Sequence, residues 1–516
     1  MKLKCLVAAF FVMTMVQAQK LTFDQVQTVV LRNSGAIMQQ GQIKGYFFFY
    51  QTDKIDRHTN AYSLQILDEN LNKVKEIKME EDKNINLLES SFNGDALSFL
   101  FSNEKEKKYE TRIYGIDGRL KFTYSRDMDK KNDEFYKLYA NPTSDEYKNQ
   151  SVFSVDNKGF ITLLPIKDNK KSSYEIEYNS SVKNQQWVYT PEESDEKYVT
   201  AGYLASTDSL VILEVQKKTK MSSGKPNIFI VGINFETKKK AFEIEEGRDN
   251  YLFIPEYCTK LSYSGKLAII GPYFNKTDNI VKDFSLGIAI YTIDDDGKIL
   301  SKAYNNWAQD ISKYLPLNEK GKIDDIGYLF FHNIIQSNDG NIFVVGEGYK
   351  RTADALGIGL NALSLLGGRI NSGGNTKIKI TDMVIMEFGN DFKIKGATVQ
   401  EKHHSDFHNE YSDLNSQHLV ALLIKAYGGF DYAFTTADKD VKTFSVCYRD
   451  YERTSEYKGQ TFNVLKYNGT KFLTDKIQLS SKATHMVVLP AKPGFVLIME
   501  YFKKDKKIDL RMEKMN

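Results

Sequence analysis

Apolar and polar residues along this chain alternate in short runs with a period of two, the spacing of half-buried β-strands rather than of amphipathic helices. One phrase recurs: "SFNGDALSFLFSN" (91–103), "SVDNKGFITLLPI" (154–166), "SYSGKLAIIGPYF" (262–274), "QSNDGNIFVVGEGY" (336–349) and "LPAKPGFVLIMEYF" (489–502). Each is a turn carrying Gly94, Gly159, Gly265, Gly340 or Gly494, followed by an apolar strand. A second phrase follows at short distance, as in "YSLQILDENLNKVKEI" (62–77), "TRIYGIDGRLKFTY" (111–124), "IAIYTIDDDGKIL" (288–300) and "FNVLKYNGTKFL" (462–473). Asp, Asn and Gly at its centre supply the left-handed backbone angles of tight hairpins, and its lysine-rich second arm reads as a charged edge strand. An inner strand, the glycine turn, a second strand and the closing hairpin make a four-stranded antiparallel unit recurring at about 50 to 60 residues, the size of a propeller blade with its loops.

The repeat places units at 34–79, 87–127, 149–191, 199–245, 257–304, 328–400, 430–478 and 483–516. The expected fold is therefore all-β, a propeller of about eight blades, or seven if one unit is misread. The last unit supplies only three strands, whereas the stretch "LTFDQVQTVVLR" (21–32) is an orphan near the other end. A propeller must cover its edges, so an N-terminal strand is expected to complete the C-terminal blade and close the ring. The composition agrees: 31 tyrosines and 32 phenylalanines stand against 9 prolines, the balance of a strand-rich chain. The turn-strand phrase x-D-G-x-φ-φ-φ, best matched from Asn338 to Val345, resembles that of exported bacterial β-propeller-like proteins. The Trp-Asp and Gly-His signatures of WD40 blades and the aspartate box of sialidases are absent, so the resemblance implies a fold and no catalytic residues.

The first residues, "MKLKCLVAAFFVMTMVQAQK", have the three parts of a secretory signal: Lys2 and Lys4, an apolar run from Cys5 to Val16, and Val16-Gln17-Ala18 before cleavage. Residues 1–18 are read as a signal peptide and 19–516 as a single propeller domain, periplasmic or at the cell surface of a Gram-negative bacterium. The formal charge is +3, and the loss of Lys2 and Lys4 leaves +1, which gives no footprint for nucleic acid. No later run is long and apolar enough to span a bilayer, and a monomer is expected. Only Cys258 and Cys447 remain after cleavage, too few for a disulfide framework, so they are read as two buried free thiols, with a single Cys258–Cys447 bridge as the alternative.

Three insertions, 305–327, 352–378 and 401–429, interrupt the repeat, and function in propellers concentrates on such loops. The first reads as a short helix from Trp307 to about Leu315, with Trp307 as a core anchor. The second, with Leu356, Ile358, Leu360, Leu363, Leu365 and Leu366 among glycines, reads as a lid packed across the propeller face or against a neighbouring helix, with a docking loop for a partner or membrane surface as the alternative. The third holds "EKHHSDFHNEYSD" (401–413) and then an amphipathic helix from about Leu414 to Tyr427, with Asp413 as N-cap, Gly428 as C-cap and Leu419, Leu422, Leu423 and Ala426 as its apolar face.

Three of the seven histidines lie in that stretch. Whether Lys402–Asn409 is extended or helical, His404 and His408 share a side, and Asp406 joins them if it is extended. Two imidazoles and a carboxylate would form a first shell for zinc or another divalent metal, with His403, Glu410, Asp413 and His418 in support. The alternative is a solvated polar loop, because no H-E-x-x-H spacing occurs. "DDDGK" (294–298) hints at calcium but occupies a hairpin turn. With no G-x-S-x-G nucleophile and no P-loop, the expected role is a binding or scaffolding module for a protein or glycan on the propeller face. A carbohydrate-active hydrolase or lyase is the alternative, since carboxylates gathered from several blades leave no sequence signature.

Overall fold

In the computed structural model, residues 19–39, 42–132, 150–168, 170–220, 223–262, 264–353, 376–407 and 417–515 are described. The expected leader and most of the 352–378 insertion lie outside them. The described chain folds into eight antiparallel units, each built on a path of four neighbouring strands, with a fifth short strand in blades five and six. Blades one to seven run from Thr28 to Asp82, Ile85 to Asp127, Val152 to Tyr189, Tyr198 to Glu245, Tyr251 to Asn306, Tyr328 to Gln400 and Tyr432 to Gln478. The eighth consists of His485–Pro490, Phe495–Phe502 and Lys507–Lys514, with Lys20–Phe23 as its outer strand.

Each second strand is buried on both faces, which explains its uninterrupted apolar run. In Leu267–Asn275 of blade five, Leu267 and Ile269 join the core shared with blade four, while Ala268 and Ile270 join the core shared with blade six. Ile342 and Val344 face blade five; Phe343 and Val345 face blade seven. This parity follows from side chains pointing to opposite faces in turn. The succession continues through all the sheets, and Tyr46, Phe48 and Tyr50 of blade one pack against Leu497, Met499 and Tyr501 of blade eight.

The N-terminal strand lies antiparallel to Lys507–Lys514, pairing Leu21 with Leu510 and Phe23 with Ile508. It is shorter than the sequence led us to expect. Gln25 turns the chain at φ 62°, Val26 donates its amide N–H to Lys506 O at 2.8 Å, and Thr28–Gln39 becomes the inner strand of blade one. Four of the five repeat glycines have positive φ: Gly94, Gly265, Gly340 and Gly494. Gly159 does not. Asn157 makes that turn, at φ 54°, and Gly159 is required because a Cβ there would meet Asn179 O at 2.4 Å.

Antiparallel order fixes which connections share an end of the sheets. First-to-second and third-to-fourth turns lie at one end; second-to-third turns and blade-to-blade connections lie at the other. The insertions at 305–327 and 401–429 join blades, and 352–378 joins the second and third strands of blade six, so all three emerge at the same end.

Candidate functional site

Blade six carries a ribbon longer than its neighbours, Ile342–Ala353 paired with Thr376–Phe388. Ile394–Gln400 pairs with its lower part and Ser405–Phe407 with its upper part, so Glu401–His404 links the two. Two register breaks mark this place. His332 is the extra residue between Phe331 and Asn333, and Gly348 interrupts the ladder between Glu347 and Tyr349. Bulges re-aim side chains. A Cβ on Gly348 would lie 2.2 Å from Thr381 Oγ1 and 2.3 Å from Ile326 Cγ2, so only glycine fits.

The bulges gather a buried ionic cluster. Glu347, fully buried, places its carboxylate 3.1 Å from His332 Nε2 and 3.2 Å from Lys402 Nζ. It accepts the amide N–H groups of Asp431 and Tyr432, each at 3.1 Å. Lys402 also pairs with Asp431, whose carboxylate accepts Ser405 Oγ–H at 3.1 Å. His332 is stacked on Tyr432, with ring centroids 4.6 Å apart.

Burial would raise the Glu347 carboxyl, but the His332 hydrogen bond, the Lys402 charge and the Tyr432 amide outweigh it and hold it below the usual carboxylate range. Burial lowers His332 despite the carboxylate beside it, so the imidazole is neutral and donates Nε2–H to Glu347. Burial raises Asp431, and the Glu347 charge adds to that against the opposing pull of Lys402. Lys402 is raised: burial lowers it, and Glu347 and Asp431 more than compensate. The arrangement pins the start and the end of the 401–431 connection to blade six.

Of the metal-site candidates, His404 Nε2 lies 3.2 Å from Asp382 Oδ1, and Asp406 pairs with Lys377 at 2.8 Å. His403 is exposed; its amide N–H bonds Asp450 Oδ1 at 2.9 Å and its ring leans on Tyr451. His408, Glu410 and Asp413 lie outside the described residues, and His418 falls in helix α1, Gln417–Ala426. Among the described residues no three His, Cys, Asp or Glu side chains converge as a metal would need. The sequence reading did not single out His332, Glu347, Asp382 or Asp431. The signal was a lone acid, Glu347, inside the apolar run "IFVVGEGYK".

α1 buries Val420, Ala421 and Ile424 against Phe330, Tyr349, Ile378 and Ile380 of the ribbon. Of the expected face, Leu422 is exposed and Leu423 half-buried. Gly428 at φ 64° ends the helix as expected. The first insertion forms only a single 3-10 turn, Ile311–Lys313, because Trp307, Leu315, Ile323 and Ile326 are all drawn into the core between blades five and six. Trp307 is an anchor there, its Nε1–H bonded to Ser285 Oγ at 3.1 Å. In "DDDGK", Asp294 Oδ1 accepts the amide N–H of Lys298 at 2.9 Å, so that carboxylate serves the turn.

Between these insertions, where blades five and six meet, a cleft of about 90 Å3 is bordered by Trp307, Lys320 and Gly321 on one side and by Ala421 of α1 on the other. Phe274, Phe330 and Tyr349 line it, and Glu256 and Asp283 are among the residues that border it. Burial pushes Glu256 up to about 7, against the pull of the Lys425 charge. A larger cleft of about 400 Å3 lies at the opposite end of the sheets, between the turns of blades seven, eight and one.

Sheets, insertions and cleft together define a β-propeller with an elaborated face. The chain belongs to a family of unknown function, DUF6770, whose model matches residues 1–516. No curated protein matches the sequence. Among solved structures it is similar to the WD40 domain of SCAP from fission yeast, at 9% identity and a TM-score of 0.37, covering 96% of this chain and 94% of that one. It is also similar to prolyl oligopeptidase B from Galerina marginata, at 9% identity and TM-score 0.40, with 91% and 55% covered, so it spans about half of that enzyme. An oligogalacturonate lyase in complex with manganese matches at 10% identity and TM-score 0.36, covering 93% and 99%. Among the described residues no helix is long and apolar enough to cross a membrane.

Proposed function

We propose that this chain is an exported propeller that binds a protein or glycan ligand on the face carrying its insertions. The observation that supports this reading most directly is topological: connections of three different kinds of length and composition, 305–327, 352–378 and 401–429, all emerge at one end of the sheets. The opposite end carries mainly tight turns, and a chain needing only a stable ring has no reason to concentrate its long connections on one side. The buried cluster around Glu347 also supports the reading, because it ties the two ends of the third insertion to blade six and so lowers the ordering cost of binding there.

The test is a glycan and peptide array probed with the chain from Gln19 and with two variants. In one, residues 354–375 are replaced by a short Gly-Ser turn; in the other, Lys439 and Lys492 at the opposite end become glutamates. Binding lost only in the first, with the melting temperature unchanged, supports the insertion face. Binding lost only in the second overturns it. Export is checked by N-terminal sequencing of protein recovered from the periplasm or medium of expressing cells, with Gln19 expected as the first residue; retention of Met1 in the cytoplasm would contradict the proposal.

A further inference from the structure

The outer strand of blade three stops short and leaves a gap beside its neighbour. Lys171–Ser180 pairs along its whole length with Gly159–Asp168 on the inner side, but on the outer side Gln186–Tyr189 covers only Ile176–Asn179. In blades one, two and four to seven the outer strand has seven to ten residues; here it has four. Pro191 accounts for the stop. Continued in register it would lie opposite Tyr174, and a prolyl nitrogen has no N–H to give to the Tyr174 carbonyl. The chain leaves the edge there and rejoins it where Ser172 donates its amide N–H to Lys197 O at 2.8 Å.

Ser180 also turns its N–H outward, to Gln185 O at 3.0 Å. Alternate residues of a strand aim their main-chain groups the same way, so Tyr174, between Ser172 and Ser180 in that alternation, aims its N–H and C=O outward too. On the inner side it faces Pro165, which has no N–H either. Neither Tyr174 group has a hydrogen-bond partner among the described residues, although the residue is only 3% exposed. Buried main-chain groups are nearly always paired. Tyr174 lines a cleft of about 340 Å3 between blades three and four, at the same end of the sheets as the insertions. Val199, Val215 and Val231 form its apolar part. Glu192 and Glu193 of the 190–197 connection also line it, and both are exposed and without an ion pair among the described residues.

We infer that this cleft takes a primary carboxamide, the end of an asparagine or glutamine side chain displayed by a partner protein. Its C=O accepts the Tyr174 N–H, and its N–H donates to the Tyr174 C=O. Among side-chain groups the carboxamide presents a donor and an acceptor side by side in one plane; an ionised carboxylate has no donor, and ammonium and guanidinium groups have no acceptor. A carboxylate would also meet the like charges of Glu192 and Glu193. The methylene stem would lie on the three valines. The inference goes beyond the reading of the insertion face, since none of the three insertions contributes to this cleft.

The test labels the chain from Gln19 with 15N-tyrosine and assigns the Tyr174 amide as the resonance lost in Tyr174→Phe. Nα-acetyl-glutamine methylamide is the probe. Its controls are Nα-acetyl-glutamate methylamide, the side-chain N,N-dimethyl form of the glutamine probe, and Nα-acetyl-alanine methylamide, which keeps only the main-chain amides. The glutamine probe is expected to shift the Tyr174 amide and slow its hydrogen exchange. Each control should bind about 10-fold more weakly or less, because each leaves a buried donor or acceptor unpaired. Pro191→Ala supplies the missing N–H opposite Tyr174, so it should protect the Tyr174 amide in the free protein and weaken the glutamine probe by a similar factor. A Tyr174 amide that no probe moves would mean that water serves it, and overturns the inference. So does an equal response to the glutamate or the alanine probe, or a Pro191→Ala chain with a protected Tyr174 amide that binds the glutamine probe unchanged. Array binding lost only in the opposite-end variant would remove the insertion-face reading without bearing on Tyr174.

Discussion

Replacing Lys402 with methionine isolates the energetics of the buried cluster. The side chains of Lys402 and Glu347 are both fully buried, and methionine has nearly the volume of the lysine stem, so the change removes charge with little loss of packing. Glu347 would keep only the neutral His332 and the backbone N–H groups of Asp431 and Tyr432, and Asp431 would keep Ser405. Removing one partner of a buried ion pair costs about 3–5 kcal/mol, because the other charge stays buried and uncompensated. At about 2.1 cal/mol/K per residue, unfolding a chain of 516 residues carries an entropy near 1 kcal/mol/K, so the melting temperature should fall by about 3–5 °C. Calorimetry of the chain from Gln19 measures this directly. A second variant, Lys402→Met with Glu347→Gln, removes the stranded charge and should recover at least half of the loss. A single-variant cost below about 1 kcal/mol, or a double variant as unstable as two independent lesions, would refute the argument that Lys402 neutralises Glu347.

Burial raises Glu214, Glu246 and Glu256 each to about 7, so the folded chain holds protons that the unfolded chain releases near 4.5; stability should fall as pH rises from about 4.5 through 7, by at most ~3 kcal/mol per group at ~1.4 kcal/mol per pH unit. Urea midpoints taken between pH 5 and 8 test this, and a rising trend would contradict it. Phe23→Ala removes a ring buried against Tyr50 and Phe48, at centroid distances of 5.6 and 5.7 Å, and should cost about 3–5 kcal/mol. Thr22→Ala on the same strand, whose hydroxyl bonds exposed Asp509, should cost under about 0.5 kcal/mol; equal effects would mean that the strand does not dock through Phe23. His404 and Asp406 already have Asp382 and Lys377 as partners, so chelator and added zinc are expected to leave the melting temperature unchanged. A zinc-dependent rise lost in His404→Ala/His408→Ala would assign the stretch to a metal.

The sequence made the blades legible because each signal is local. Turn residues such as Gly340 and Gly494 act within a hairpin, and the approximate bounds 328–400 read for blade six from its turns and apolar runs agree with Tyr328–Gln400. The helix within the third insertion was legible for the same reason, but its buried face was not. Val420, Ala421 and Ile424 are buried because the long ribbon of blade six stands beside them, and no property of α1 alone announces that neighbour. The 3-10 turn at Ile311–Lys313 follows the same logic: four apolar residues committed to one core left too little chain for the expected helix.

The site was hidden for a different reason. In a strand buried on both faces, alternate residues belong to different interfaces, so hydrophobic periodicity disappears where a blade is most constrained. The informative positions are then the exceptions to the apolar run. Glu347 is one, and Glu214 in "LVILEVQ" is another. Each is an acid where burial penalises charge, and each requires something nearby to justify it. For Glu347 that something is Lys402, 55 residues further on and delivered by the very connection that interrupts the repeat. For Glu214, burial has moved the carboxyl up to about 7, with Glu256 adding to the shift and Gln216 and Lys218 opposing it. Two acids on equivalent second strands thus meet opposite fates, one held ionised by an insertion and one held toward its neutral form by burial and by Glu256 of blade five. The difference lies in which blade carries the insertion, so the electrostatics and the topology single out the same end of blade six.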